Sequence, residues 1–147
     1  MKGEEKMVEV LSGKIWLGHA FDVRQPRELF DHGISAVVDV AYEESPAQLP
    51  RQLVYCRFPL NDGEGNDPML IRLAVDSVVN CLSIGMPTLV ACSAGMSRSP
   101  SIAAVALAIH LGESPTEVLQ RFSKSKALEV SPQFWSAAVG VWKSTVK

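Results

Sequence analysis

The chain has 147 residues, 47% of them hydrophobic and 20% charged, with 14 Lys and Arg against 16 Asp and Glu for a formal net charge of -2. That length fits one domain spanning 1–147 with enough apolar content for a sizeable core, and the charge balance excludes a strongly basic, non-specific nucleic-acid binder. Three cysteines, Cys56, Cys81 and Cys92, cannot all pair, and none stands in a Cys-x-x-Cys or near a histidine, which excludes a disulfide framework or structural zinc site and points to a reducing, cytoplasmic setting.

The opening residues Met1-Lys-Gly-Glu-Glu-Lys6 carry acids and no apolar run, so no secretory signal is expected. Val8-Glu-Val10, the turn residues Ser12-Gly13 and Ile15-Trp-Leu17 predict a β-hairpin. Pro26 opens a helix that Gly33 closes. Ala36 to Val40 reads as a buried strand and Leu53 to Phe58 as another. Asn61 to Asp67 has almost no apolar content and two glycines, the composition of a surface loop.

Asp67 caps a helix beginning at Pro68, with Leu70, Leu73, Ala74, Val78 and Cys81 as its apolar stripe and Gly85 as its end. Thr88 to Ala91 is a short apolar strand. Ser97 to Leu111 reads as a helix apolar nearly all round, hence central and buried, and Gly112 ends it. Its run Ile102 to Ile109 is too short to span a bilayer, so no membrane partner is expected. Ser114 and Glu117 predict a capping box around Pro115, and Ser131-Pro132 starts the last helix. Strands alternating with helices predict an α/β fold: one central, mostly parallel sheet flanked by helices.

From Ser77 to Gly112 the only Asp, Glu, Lys or Arg is Arg98. A guanidinium stays charged, and burying it alone is costly. Either a distant carboxylate reaches it, or its partner is an anion that comes and goes. The order strand, Cys92-Ser-Ala-Gly-Met-Ser-Arg98-Ser99-Pro100, helix favours the anion. A loop entering a helix N-terminus aims backbone N–H groups at one point. Gly95 permits backbone conformations closed to other residues, and the helix field favours both an anion and a thiolate at Cys92. Arg98 adds a planar fork for two phosphoryl oxygens.

Cys92-x5-Arg98 with Gly95 and Ser99 resembles the signature loop of cysteine-dependent protein phosphatases. The run Gly95-Met-Ser-Arg-Ser99 is most similar to that of the small dual-specificity phosphatases. The resemblance extends to Ile15-Trp-Leu-Gly18, Gly33 to Val40, Phe58-Pro-Leu-Asn-Asp62, Glu117 to Arg121 and Val130-Ser-Pro-Gln-Phe134. It implies a five-stranded sheet, a phosphocysteine intermediate, no metal and no cofactor. By the same resemblance Cys92 is the nucleophile, Arg98 the clamp, Asp62 the general acid and Ser99 the hydroxyl that helps the sulfur leave. Ser93, Ala94, Gly95, Met96, Ser97 and Arg98 form the substrate-binding loop. A phosphorylated protein or other phosphomonoester is the expected partner of a monomeric enzyme.

One position departs. Ala91 stands where the family has His, which there helps organise the loop and stabilise the thiolate. A phosphate-binding module with weak or no turnover is therefore an alternative, and a rhodanese-type sulfurtransferase a more distant one. Asp67 is the competing acid, but its place before Pro68 suits a cap. His19, His32 and His110 lack metal-ligand spacing, with His110 a helix-boundary residue. Cys56 and Cys81 read as small core residues, Trp135 and Trp142 as core or groove residues, and Arg121, Lys124 and Lys126 as a solvated face.

Overall fold

A computed structural model describes residues 6–146. Two short strands, Val8–Leu11 (β1) and Ile15–Gly18 (β2), form the antiparallel hairpin that the turn residues predict. Ala36–Asp39 (β3), Val54–Arg57 (β4) and Thr88–Ala91 (β5) join it in a five-stranded sheet of order β1-β2-β5-β3-β4. Every pairing except the hairpin is parallel.

Period-two alternation sorts the strand side chains between two cores. Ile15, Leu17, Val38 and Val90 join one cluster, with residues of the large helices Pro68–Ile84 (α3), Arg98–Leu111 (α4), Pro115–Ser123 (α5) and Pro132–Thr145 (α6). Trp16, Val37, Leu89 and Ala91 join the other, with Val23 of a short helix Ala20–Val23 (α1) and Leu29 of Pro26–Asp31 (α2). Helices thus cover both faces, as a mostly parallel sheet requires. The fold class is the one expected from the sequence.

The predicted caps hold at two of three helices. Asp67 accepts from Met69 N at 2.9 Å and Ser131 from Phe134 N at 3.3 Å. Ser114 makes no side-chain cap bond, so the Ser114–Glu117 capping box does not form. Pro115 at the first helical position supplies no N–H and is itself buried, which starts the helix without that box. A capping box forms instead at α1, where His19 N donates to Asp22 Oδ2 at 2.9 Å and Asp22 N donates to His19 Nδ1.

The helix expected from Ser97 begins one residue later, at Arg98, with Ser97 as its cap residue. From Arg98 to Ala108 every residue of α4 is buried. Ser101, one of three buried polar residues in that stretch with Arg98 and Ser99, donates its hydroxyl to Ser97 O at 2.8 Å.

The solvated face assigned to Arg121, Lys124 and Lys126 is corrected at one member. Arg121 is exposed and pairs with Glu113 at 3.0 Å, and Lys124 is exposed, whereas Lys126 is only 4% accessible. Lys126 lies in the α5–α6 connection, with its ammonium in the field of buried Asp22.

Candidate active site

The sheet order places β5 between β2 and β3, so the chain leaving its C-terminal end emerges between the ends of two parallel neighbours. That is the position at which open α/β sheets hold ligands. Cys92 follows β5 directly and is 2% accessible. The loop from Cys92 to Ser97 then curls and enters α4 at Arg98.

Gly95 makes the curl possible. Its φ is 77°, and a Cβ there would meet Gly18 O at 2.8 Å. Its amide donates to Cys92 Sγ at 3.2 Å. Ser99 Oγ lies 3.3 Å from the same sulfur, on the first turn of α4. The loop is tied to the neighbouring turn, because Ala20 N donates to Ser93 O at 3.1 Å and Cys92 N to Gly18 O at 3.3 Å. On the other side Glu129 N donates to Met96 O at 2.9 Å.

Arg98 is 4% accessible and is reached by a carboxylate distant in sequence, one of the two partners that its lone charge left open. Its Nη1 donates to Glu43 Oε1 at 2.8 Å and to Leu60 O at 2.7 Å, and its Nη2 donates to Glu43 Oε2 at 2.6 Å. Such a fork-on-carboxylate pair is among the stronger charge-assisted contacts. The hydrogen bonds from Arg98 hold the Glu43 carboxyl down at about 2. Burial works against the Arg98 charge, but Glu43, Cys92 and Asp62 outweigh it and raise its pKa. Arg98 Nε is buried and has no hydrogen-bond partner among the described residues.

Asp62 stands across the opening. Ser97 Oγ donates to Asp62 Oδ1 at 2.6 Å and accepts from Ser131 N at 2.9 Å. Asn66 orders the same loop, donating to Asn61 O and accepting from Asn61 N, each at 2.8 Å. Asp67, the competing acid, caps α3 and is not among the residues lining the cavity. That cavity, of about 120 Å³, is lined by Asp62, Cys92, Ala94, Met96, Ser97, Arg98 and Glu129. Cys92, Asp62, Arg98, Ser99 and the loop Ser93 to Ser97 are therefore brought together.

Three acids at this place were not singled out from the sequence. Glu43 grips Arg98, Glu44 accepts from the Ser93 hydroxyl, and Glu129 lines the cavity. The loop bearing the first two is strapped by its backbone. Arg24 donates to Ser45 O at 2.6 Å, and Arg57 to Glu44 O at 2.9 Å and Tyr42 O at 3.3 Å. Tyr55 supports it from β4, donating to Asp39 Oδ2 at 2.8 Å and accepting from Ala47 N at 3.0 Å.

Ala91 ends β5 between Gly18 and Asp39 and is fully buried in the cluster of Trp16, Val23 and Leu89. Its methyl group makes no hydrogen bond to the loop that follows. Among the described residues, no group of three or more His, Cys, Asp or Glu has metal-binding geometry, and no helix is long and apolar enough to cross a membrane.

The fold is that of the small dual-specificity protein phosphatases. The chain superposes on human DUSP28 with a TM-score of 0.85 at 22% identity, covering 97% of each chain. A mouse putative dual specificity phosphatase complexed with zinc tungstate gives 0.82 at 20% identity, over 98% of this chain and 91% of that one. The human tyrosine phosphatase-like serine/threonine/tyrosine-interacting protein gives 0.83 at 16%, over 97% and 99%. Comparison with protein families and with curated proteins gives no match.

Proposed function

We propose that the chain is one phosphatase domain that hydrolyses phosphate monoesters on tyrosine, serine or threonine through a phosphocysteine intermediate. The observation that carries this reading is the unpartnered, buried Nε of Arg98 beside Cys92 in a cavity faced by Asp62. A buried donor without a partner is costly, and a phosphoryl oxygen satisfies it.

The Cys92 thiolate attacks phosphorus, forming the S–P bond as the P–O bond to the leaving group breaks. Asp62 gives its proton to that leaving oxygen. The amides of residues 93–98 and the Arg98 guanidinium hold the equatorial oxygens where charge spreads. Nη1 donates to Glu43 Oε1 and Leu60 O and Nη2 to Glu43 Oε2, which fixes the guanidinium and leaves Nε and the second Nη2 hydrogen for the phosphoryl oxygens. Asp62 then takes a proton from water as its oxygen attacks phosphorus and the S–P bond breaks. The Ser99 hydroxyl, 3.3 Å from Sγ, stabilises the departing thiolate.

A second reading, a phosphate-binding protein without appreciable turnover, is favoured by Ala91, which removes a polar support beneath the loop. An aryl phosphate assay with chelator present, on wild type and Cys92→Ser, separates the two. Turnover that depends on Cys92 supports the phosphatase. Phosphate protection of Cys92 from alkylation without turnover supports the binding protein.

A further inference from the structure

The cavity combines one buried cation with a rim of carboxylates. Arg98 is the only cation among its lining residues, and its Nε is buried without a partner among the described residues. Asp62 and Glu129 line the same cavity, Glu43 lies against Arg98, and Glu44 lies against Ser93 at the start of the loop. Glu43 and Glu129 are exposed to solvent. Three cations of the flanking segments are turned to other work: Arg24 and Arg57 bond backbone carbonyls of the loop carrying Glu43 and Glu44, and Lys126 is buried near Asp22.

The acids stand at opposite ends of the phosphate loop. Glu44 meets it at Ser93, while Glu129 is joined to it through Met96. A ligand that answers both needs its anion in the middle and positive charge on either side. A polyanionic headgroup or a phosphoresidue among acids brings like charges together, which costs affinity and slows encounter.

We infer that the preferred substrate is a phosphoprotein segment in which Lys or Arg residues flank the phosphorylated side chain. The carboxylate rim selects it and the Arg98 seat takes its phosphate. This rests on the phosphatase reading and names its substrate class.

The test is a set of phosphotyrosyl and phosphoseryl peptides of equal length, with Lys/Arg, Ala or Asp/Glu on both sides of the phosphoresidue. kcat/KM is measured for wild type and Glu129→Lys at low and physiological ionic strength, with an aryl phosphate as reference. The basic peptide should exceed the acidic one by on the order of tenfold at low salt, and by less as salt screens the rim. Glu129→Lys should shrink that ratio, whatever it does to the absolute rates. A flat series, a preference for acidic flanks, or a ratio untouched by Glu129→Lys overturns the inference. So does turnover of the aryl phosphate with none of any peptide. Loss of all turnover, aryl phosphate included, sinks the phosphatase reading and this inference with it.

Discussion

Ser97 and Asp62 share a hydrogen bond of 2.6 Å that joins the loop after β5 to the loop before α3. The same Ser97 oxygen accepts from Ser131 N, so the cap of α6 fixes the hydroxyl that fixes the acid. On the phosphatase reading, Ser97 is a positioning residue through its side chain, beyond the backbone amide that the loop motif assigns it. Ser97→Ala should lower kcat/KM for alkyl phosphates several-fold more than for an aryl phosphate with a very acidic phenol, because only a poor leaving group needs a placed proton. Asp62→Asn should show the same selectivity, more strongly. Asp67→Asn should cost about 1 kcal/mol of stability as a lost cap and leave the leaving-group dependence alone. Plots of log kcat/KM against leaving-group pKa check all three, and a steeper slope for Asp67→Asn alone would move the acid.

Arg98→Lys keeps the charge and loses the fork. The lysine cannot hold both Glu43 oxygens and Leu60 O while donating to a phosphoryl oxygen. kcat/KM for an aryl phosphate should fall on the order of tenfold or more, at about 1.4 kcal/mol per decade. Steady-state kinetics with wild-type values would refute the clamp.

Glu43 makes stability depend on acid. Its carboxyl is lowered from an ordinary 4.5 to about 2 in the folded chain. A depressed acid contributes stability above its unfolded value, and that contribution is lost as pH falls through the folded one. The difference in urea midpoint between wild type and Glu43→Gln should therefore be largest above pH 4.5 and shrink toward pH 2. The Glu43 side chain is 51% exposed, so solvent screening keeps the effect modest. A difference that grows on acidification would contradict the pairing.

Gly95→Ala places a methyl group 2.8 Å from Gly18 O on a backbone at positive φ. The strain is on the order of 1–3 kcal/mol, and its relief must deform the loop around Cys92. Thermal midpoint and activity should both drop. Gly63→Ala, with nothing within 4 Å of the added carbon, is the matched control in the acid loop. Equal effects from the two substitutions would argue against the packing of the loop on Gly18.

Local pattern made much of this architecture legible. The short apolar runs Ile15 to Leu17 and Thr88 to Ala91, each bounded by turn or polar residues, identify buried strands. The buried α4 is readable because it lacks charge around most of its circumference. The site was legible where its parts are contiguous, from Cys92 to Ser99. Glu43 was not, since Tyr42-Glu-Glu-Ser45 reads as solvated loop, and only the β3–β5 pairing brings it to an arginine 55 residues on. Lys126 was missed for a related reason: it follows Lys124 and Ser125 in a connection, and it lies near Asp22, more than a hundred residues earlier in the chain. The His19 box was missed because histidine is an uncommon cap.

Arg98 and Asp62 belong to parts of the molecule with different opening costs. Arg98 is the first residue of a helix buried through Ala108, so its backbone cannot loosen without disturbing the main core. Asp62 sits in an exposed loop held chiefly by Asn66 and by the single contact to Ser97. Amides of α4 should therefore exchange with solvent only through global unfolding, and those of 62–66 through local opening. Arg98 keeps the time of the whole fold, while Asp62 keeps the faster time of a loop held by a few hydrogen bonds. On the phosphatase reading, Asp62 withdraws and returns in each turnover while Arg98 stays in place.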